Sequence, residues 1–278
     1  LFSSFAGLIP PGGTVPLITS AGSNTTMKIK RTILVLLFLV ILAGSAGASQ
    51  RFVILEGFTN SGCGYCPPAD AAWLAADGSY HDDMGLIVWH MSWPGTDPLY
   101  LYNTVDNNNR RTFYGVSAVP ATYCDGTAIN YSQSSSYVNS RISVPAPMEI
   151  VLDGNITGSD GYLDARFEWT DSVPDETYRA FFIVCENDLF AGGRHYDYSM
   201  RLVEPDYPGW LCPDDGGVHY HREEFNVDTV WKTDDLVGYV VVQSFIGKNV
   251  VQGARVDLGE WQSNVVESSW GSIKALEH

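Results

Sequence analysis

The segment Gly62-Cys63-Gly64-Tyr65-Cys66-Pro67-Pro68 places two cysteines three residues apart. A thiolate at such a position attacks disulfides and its partner closes the ring behind it; the same pair could also ligate a metal or act as a structural staple. A structural zinc site takes four ligands, and the sequence holds no second Cys-x-x-Cys. His219 and His221 alternate onto one face of a strand and could join Cys212, but solvent-facing histidines are the plainer explanation, and no metal is assigned. A staple across so small a ring restrains little chain. Exchange needs a lowered thiol pKa. The pair lies where an apolar run gives way to a helical one, so the N–H groups and dipole of a helix N-terminus would favour a Cys63 thiolate. Pro67 suits a first helical turn, whose N–H groups lack partners within the helix. Pro68 suits it less and moves the expected helix start slightly later.

The elements that must position this pair follow from the pattern. The apolar strand "RFVILEGF" begins at Arg51 and leads into the motif, followed by the helical "ADAAWLAA" and a second strand "GLIVWHMSW". A polar stretch able to hold a helix, "NTVDNNNRRTFYGV", precedes "SAVPATYCDGTAI", a strand entered through Val119-Pro120 and left through an Asp125-Gly126 turn. Strand and helix in alternation argue for an α/β layer. X-Pro bonds are the usual place for a cis peptide, and a cis proline facing Cys-x-x-Cys would leave the Val119 backbone free to pair with an extended substrate. An ordinary trans turn proline fits the sequence equally.

After the Ser-rich "SQSSSYVNSRI", the stretch "SVPAP" marks an expected boundary near residue 145. Beyond it, "GYLDARFEW" alternates and "YRAFFIVC", "LVGYVVVQSF" and "NVVQGARVDL" are β-branched and aromatic runs, which predicts a β-sandwich with a loop excursion over about residues 186 to 220. Asp153, Asn155, Thr157, Gly158 and Asp164 nearly match a calcium loop, but strands on both sides favour a polar hairpin. His90, in an apolar strand, reads as a satisfied core histidine.

Met27, Lys28, Lys30 and Arg31 precede an apolar run ending in Ala46-Gly47-Ala48, the pattern of a secretory signal peptide over 27–48. The apolar run is shorter than the roughly 18 to 20 residues of a membrane span, so none is expected in the mature chain. Residues 1–26 read as sequence upstream of the native start, and 263–278 as a tail. The chain carries 16 basic and 32 acidic residues, a net charge of −16, which becomes −19 once the three basic residues of the leader are removed. Such a surface repels nucleic acid and anionic membranes. Disulfides persist outside the cytoplasm, so Cys185 and Cys212 are expected to form a structural one. Cys124, in a central strand, reads as a small buried hydrophobe before it reads as a third redox thiol.

The order strand, Cys-x-x-Cys-Pro, helix, strand, helix, Val-Pro, strand resembles the thioredoxin-like superfamily. More closely, "LEGFTNSGCGYCPPA", "DPLYLYN", "RRTFYGVSAVPATYCDG" and "HREEF…W…VVVQSF…NVVQGARV" resemble the bacterial Omp-twenty-eight-related proteins. The resemblance implies an α/β thioredoxin-like domain over 49–145 followed by an all-β immunoglobulin-like sandwich domain over 146–262. It further implies Cys63 as nucleophile, Cys66 as resolving thiol and Pro120, after Val119, as the cis proline. The Gly-Tyr dipeptide is similar to that of periplasmic disulfide isomerases, whereas Val before the proline is more like the strong oxidases, so the direction of electron flow stays open. Gly62 stands where thioredoxin has tryptophan, and the buried acid is not at its usual spacing. Glu56, seven residues before Cys63, is the candidate proton acceptor for Cys66; a salt-bridged glutamate at a strand end is the alternative. The expected function is an exported thiol-disulfide oxidoreductase, periplasmic, outer-membrane-associated or secreted, acting without a cofactor on protein or peptide thiols and disulfides. The alternative is an envelope-associated or secreted binding protein that uses the thioredoxin-like domain as a scaffold.

Overall fold

Val53–Thr59 (β1) is a run of seven buried residues, and a strand buried on both faces must be covered on both. In the computed structural model, which describes residues 49–174 and 176–259, the first cover is the helix Pro67–Tyr80 (α1). Ala69, Trp73 and Ala76 recur at helical spacing and are all buried. Gly57 lets the Trp73 ring lie directly on the β1 backbone, because a Cβ there would fall 2.5 Å from the ring. Trp73 Nε1 donates to Thr122 Oγ1 at 3.0 Å, fixing the helix over the sheet.

Met84–His90 (β2) runs parallel to β1, as a strand returned by a helix must. The short helix Pro98–Tyr102 (α2) and Thr104–Tyr114 (α3) lead to Ala121–Cys124 (β3), antiparallel to β1, and to Thr127–Ile129 (β4), joined to β3 through Asp125-Gly126. Ser134–Ile142 (α4) closes this half and, like α1, buries one side, here through Ser134 and Val138. The sheet order β2-β1-β3-β4 carries the elements in the sequence expected of them.

The second half departs from the expectation. Its strands do not assemble apart: Tyr178–Glu186 (β7), Ser199–Glu204 (β10), Leu236–Ser244 (β13) and Val250–Asp257 (β14) extend the same sheet, in the order β14-β13-β7-β10-β2-β1-β3-β4, with Trp210–Cys212 (β11) pairing β7. The link is one bridged pair, Ser199 with Val88, so the sheet does not break at residue 145. Met148–Thr157 (β5), Asp160–Trp169 (β6) and Val218–Asn226 (β12) form a separate three-stranded sheet, and Leu189–Ala191 (β8) with Arg194–Tyr196 (β9) a small hairpin.

β7 explains this arrangement. Phe181, Ile183 and Cys185 enter one core with β1 and β2, while Ala180, Phe182 and Val184 enter another with Leu163, Ala165 and Phe167 of β6. A two-sided apolar strand belongs between two cores, and β7 and β13 serve both. The sheet therefore has a sandwich on one part of one face, and its far end packs back on its beginning: a Cβ on Gly253 of β14 would lie 2.6 Å from Ile54, and one on Gly85 2.7 Å from Tyr239 of β13. The mixed α/β character expected of the chain is present, but its all-β half is spliced into the first sheet. The region 153–164 is the β5–β6 hairpin, with Asp153 facing Asp164 across the ladder, not a calcium loop. The expected leader 27–48, the upstream residues 1–26 and the tail 263–278 lie outside the described residues.

Candidate active site

The loop after β1 turns sharply because Asn60 hydrogen-bonds into both of its sides. Asn60 Nδ2 donates to Met91 O and Gly95 O at 2.7 and 2.8 Å, its Oδ1 accepts Gly62 N–H at 2.8 Å, and its carbonyl accepts Cys63 N–H at 3.0 Å. Ser61 N–H donates to Asp97 Oδ2 at 2.7 Å. Asp97 also caps α2 through Leu99 N–H and accepts from His90 Nδ1 at 2.8 Å; the other ring nitrogen of His90 meets Ser199 Oγ at 3.2 Å. Burial opposes the Asp97 charge, yet these donors together hold its carboxyl below the ordinary range. His90 is thus a satisfied core histidine, as expected, and it ties the loop to β10.

Cys63 and Cys66 are joined in a disulfide with Cα atoms 5.5 Å apart, at the start of α1. Cys66 is the cap of that helix, and Pro67 and Pro68 both lie in its first turn, so Pro68 does not delay the helix as expected. One consequence bears on chemistry. Neither proline has an N–H, and the next two, of Ala69 and Asp70, donate to the Cys66 carbonyl at 2.8 and 3.0 Å. The first turn of the helix therefore directs few free donors at a thiolate.

Exposure separates the two sulfurs' residues: Cys66 is 0% exposed and Cys63 4%, within a rim of exposed Gly62, Gly64, Tyr65 and Pro67. Both residues are buried, and Cys63 is the slightly more exposed of the two. The Val119–Pro120 bond is cis. Because Ala121 pairs with Phe58, Pro120 enters β3 beside Thr59 and Asn60, alongside the loop that carries Cys63.

Glu56 does not face this pair. Side chains alternate along a strand, and since Gly57 lies under α1, Glu56 points to the opposite side of the sheet. There its carboxylate accepts from Arg110 Nε and Nη2, both at 2.6 Å, from Trp89 Nε1 at 2.9 Å and from Tyr114 Oη at 2.6 Å. Every lone pair is committed, so the salt-bridge alternative holds and the proton-acceptor role for Cys66 is withdrawn. The expected Cys185–Cys212 disulfide is also absent: both thiols are free and buried. Cys212 of β11 pairs with Tyr178, at the far end of β7 from Cys185, about 23 Å away at strand rise, and the two enter different cores. Cys124 is likewise buried, and burial pushes its thiol well up, as it does Cys185; the Cys212 thiol is pushed up to about 12. His219 and His221 bond separately to Asp215 and Glu223, and no group of three metal-ligating side chains occurs among the described residues.

Two acidic and one basic residue near the pair were not singled out from the sequence. Asp97 had a signal, since Asp before Pro marks a helix start. Asp70 and Arg194 had none. Asp70 accepts from Thr59 Oγ1 at 2.9 Å and from Arg194 Nη1 at 3.1 Å, and burial pushes its carboxyl up against these partners.

Neither a protein-family model nor a curated protein sequence matches the chain. Among solved structures, HBP35 of Porphyromonas gingivalis is similar over 81% of this chain and 82% of its own, with a TM-score of 0.66 and 14% identity. Protein AGR_C_4864 from Agrobacterium tumefaciens is similar over 79% and 98%, with a TM-score of 0.53 and 16% identity. Both likenesses run through the two halves of the chain, so the mixed sheet with its added layers is a fold shared with known bacterial proteins.

Proposed function

We propose that the chain is an exported thiol-disulfide oxidoreductase whose Cys63–Cys66 pair exchanges with protein or peptide thiols. The observation that carries this reading is the placing of the pair: a disulfide at a helix start beneath a rim of exposed residues, with Cys63 the slightly more exposed of its two cysteines and the cis Val119–Pro120 bond on the neighbouring strand. In the oxidising direction a substrate thiolate attacks Cys63 Sγ, the Cys63–Cys66 bond breaks, and Cys66 leaves as thiolate. A second substrate thiolate then attacks its own sulfur in the mixed disulfide, releasing Cys63 as thiolate and leaving the substrate oxidised by two electrons. The reducing direction reverses each step. Pro120, beside the loop, offers the neighbouring Val119 backbone to an extended substrate strand. The leader read at 27–48 supplies the export. A thioredoxin-like scaffold without redox activity remains the competing reading, and the pair's behaviour in glutathione buffers decides between them. Reversible equilibration, with a potential in the range of about −270 to −120 mV spanned by such proteins, is the expected result; a pair that stays oxidised throughout would remove this function.

A further inference from the structure

Building on that exchange reading, we propose that Arg194, carried in by the β8–β9 hairpin, is a positioning residue that stabilises the reduced pair and so raises its reduction potential. The hairpin is seated on the loop rather than hanging free. Leu189, Ala191 and Tyr196 bury against Leu99 of α2, and Gly192 lies so close to the Ser61 carbonyl that a Cβ would fall 2.3 Å from its oxygen. The Arg194 guanidinium lies over the Tyr196 ring, 5.3 Å from its centre.

From there Arg194 reaches three acceptors. Nη1 donates to Asp70 Oδ2 at 3.1 Å, and Nη2 to the carbonyls of Asn60 and Ser61, both at 3.3 Å. The Asn60 carbonyl is the one that also accepts Cys63 N–H. Two nitrogens sharing one oxygen at hydrogen-bond lengths lie no more than about 6 Å apart, so the cation is close to the Cys63 backbone.

Its charge has work there because the other formal charges at the loop are unfavourable to a thiolate. Asp97 sits on Ser61 N–H, Asp70 lies one turn into α1 after Cys66, and the helix itself spends its first available N–H groups on the Cys66 carbonyl. His90 is already bonded to Asp97. Arg194 therefore supplies the permanent positive charge beside the pair. The disulfide is uncharged, whereas the dithiol formed by two electrons and two protons sheds a proton as its Cys63 thiol ionises. A cation that favours the thiolate favours the reduced form, and a stabilised reduced form makes a stronger oxidant.

The test compares the full chain with R194Q, R194K and D70N, equilibrated in glutathione buffers, with thiolate formation followed by absorbance at 240 nm against pH. R194Q should lower the reduced-to-oxidised ratio about tenfold, which is about 30 mV for a two-electron couple, and move thiolate formation to higher pH. R194K should stay near the parent, and D70N should move both readouts the opposite way. The inference is overturned if the parent equilibrates normally while R194Q and D70N keep its potential and its titration. A parent that does not equilibrate at all removes the exchange reading and this inference with it. If R194Q fails to fold by circular dichroism, D70N alone decides, since its predicted shift has the sign opposite to simple damage.

Discussion

At the residue scale, the two carboxylates that flank the Cys63–Cys66 pair in sequence have different partners: Asp70 accepts from Thr59 and Arg194 beside the loop. Glu56 belongs to the interior: its pair with Arg110 has both side chains at most 5% exposed. Removing one partner of a buried pair leaves the other charge uncompensated, at a cost of about 3 to 5 kcal/mol. Glu56→Gln should therefore lower the melting temperature while leaving the pH profile of disulfide exchange in the still-folded protein unchanged; a shifted profile would return Glu56 to the site. The three remaining cysteines give a second expectation. Their buried thiols ionise only well above the usual thiol range, so alkylation of the native oxidised chain at pH 8 should label none of Cys124, Cys185 and Cys212, and labelling in urea should reach all three, as read by mass spectrometry. The pairing of Cys63 with Cys66 and the Val119-Pro120 entry to β3 were legible from residue type and spacing. That Cys185 and Cys212 stay unpaired was not, because cysteine count says nothing about which ends of a strand two residues occupy.

At the scale of elements, the fit of α1 on β1 sets where the disulfide sits. Gly57→Ala would drive a methyl into the Trp73 ring, and overpacking of this kind costs about 1 to 3 kcal/mol. The expected outcome is a lower thermal midpoint by circular dichroism, with partial recovery when Trp73 is reduced to Phe; an unchanged midpoint would mean that the helix is not held by that contact. Strand and helix types read correctly from periodicity here, since Ala69, Trp73 and Ala76 recur at helical spacing and β6 alternates along its length. The β8–β9 hairpin was hidden in the supposed loop over 186–220. Its strands have three residues each, too short for any period to register, and what seats them is a single arginine and a small core shared with Leu99.

At the scale of the whole molecule, the strands after residue 145 complete the sheet begun before it, and the described residues form one compact unit. Composition and pattern show that those strands exist but not which edge they join, because β10 meets β2 across more than a hundred residues of chain. Denaturant unfolding should accordingly show one transition by tryptophan fluorescence and by circular dichroism together; two separated transitions would support the boundary expected near residue 145. Stability should also respond to acid. Burial raises the carboxyls of Asp70 and Asp106 in the folded state, so as the pH falls from neutrality toward about 4 the native chain binds protons before the unfolded one does and these groups add stability. Asp97, held low, contributes stability above the ordinary carboxylate range that is lost only at still lower pH. The thermal midpoint should thus rise before it falls on acidification. The central claim, that Cys63 is the sulfur that exchanges and Cys66 the one that resolves, is tested most directly by incubating single-cysteine variants of the full chain with a disulfide-bonded peptide. Cys66→Ala should accumulate a mixed disulfide on Cys63 and Cys63→Ala should accumulate none; equal trapping by both, or by neither, would contradict it.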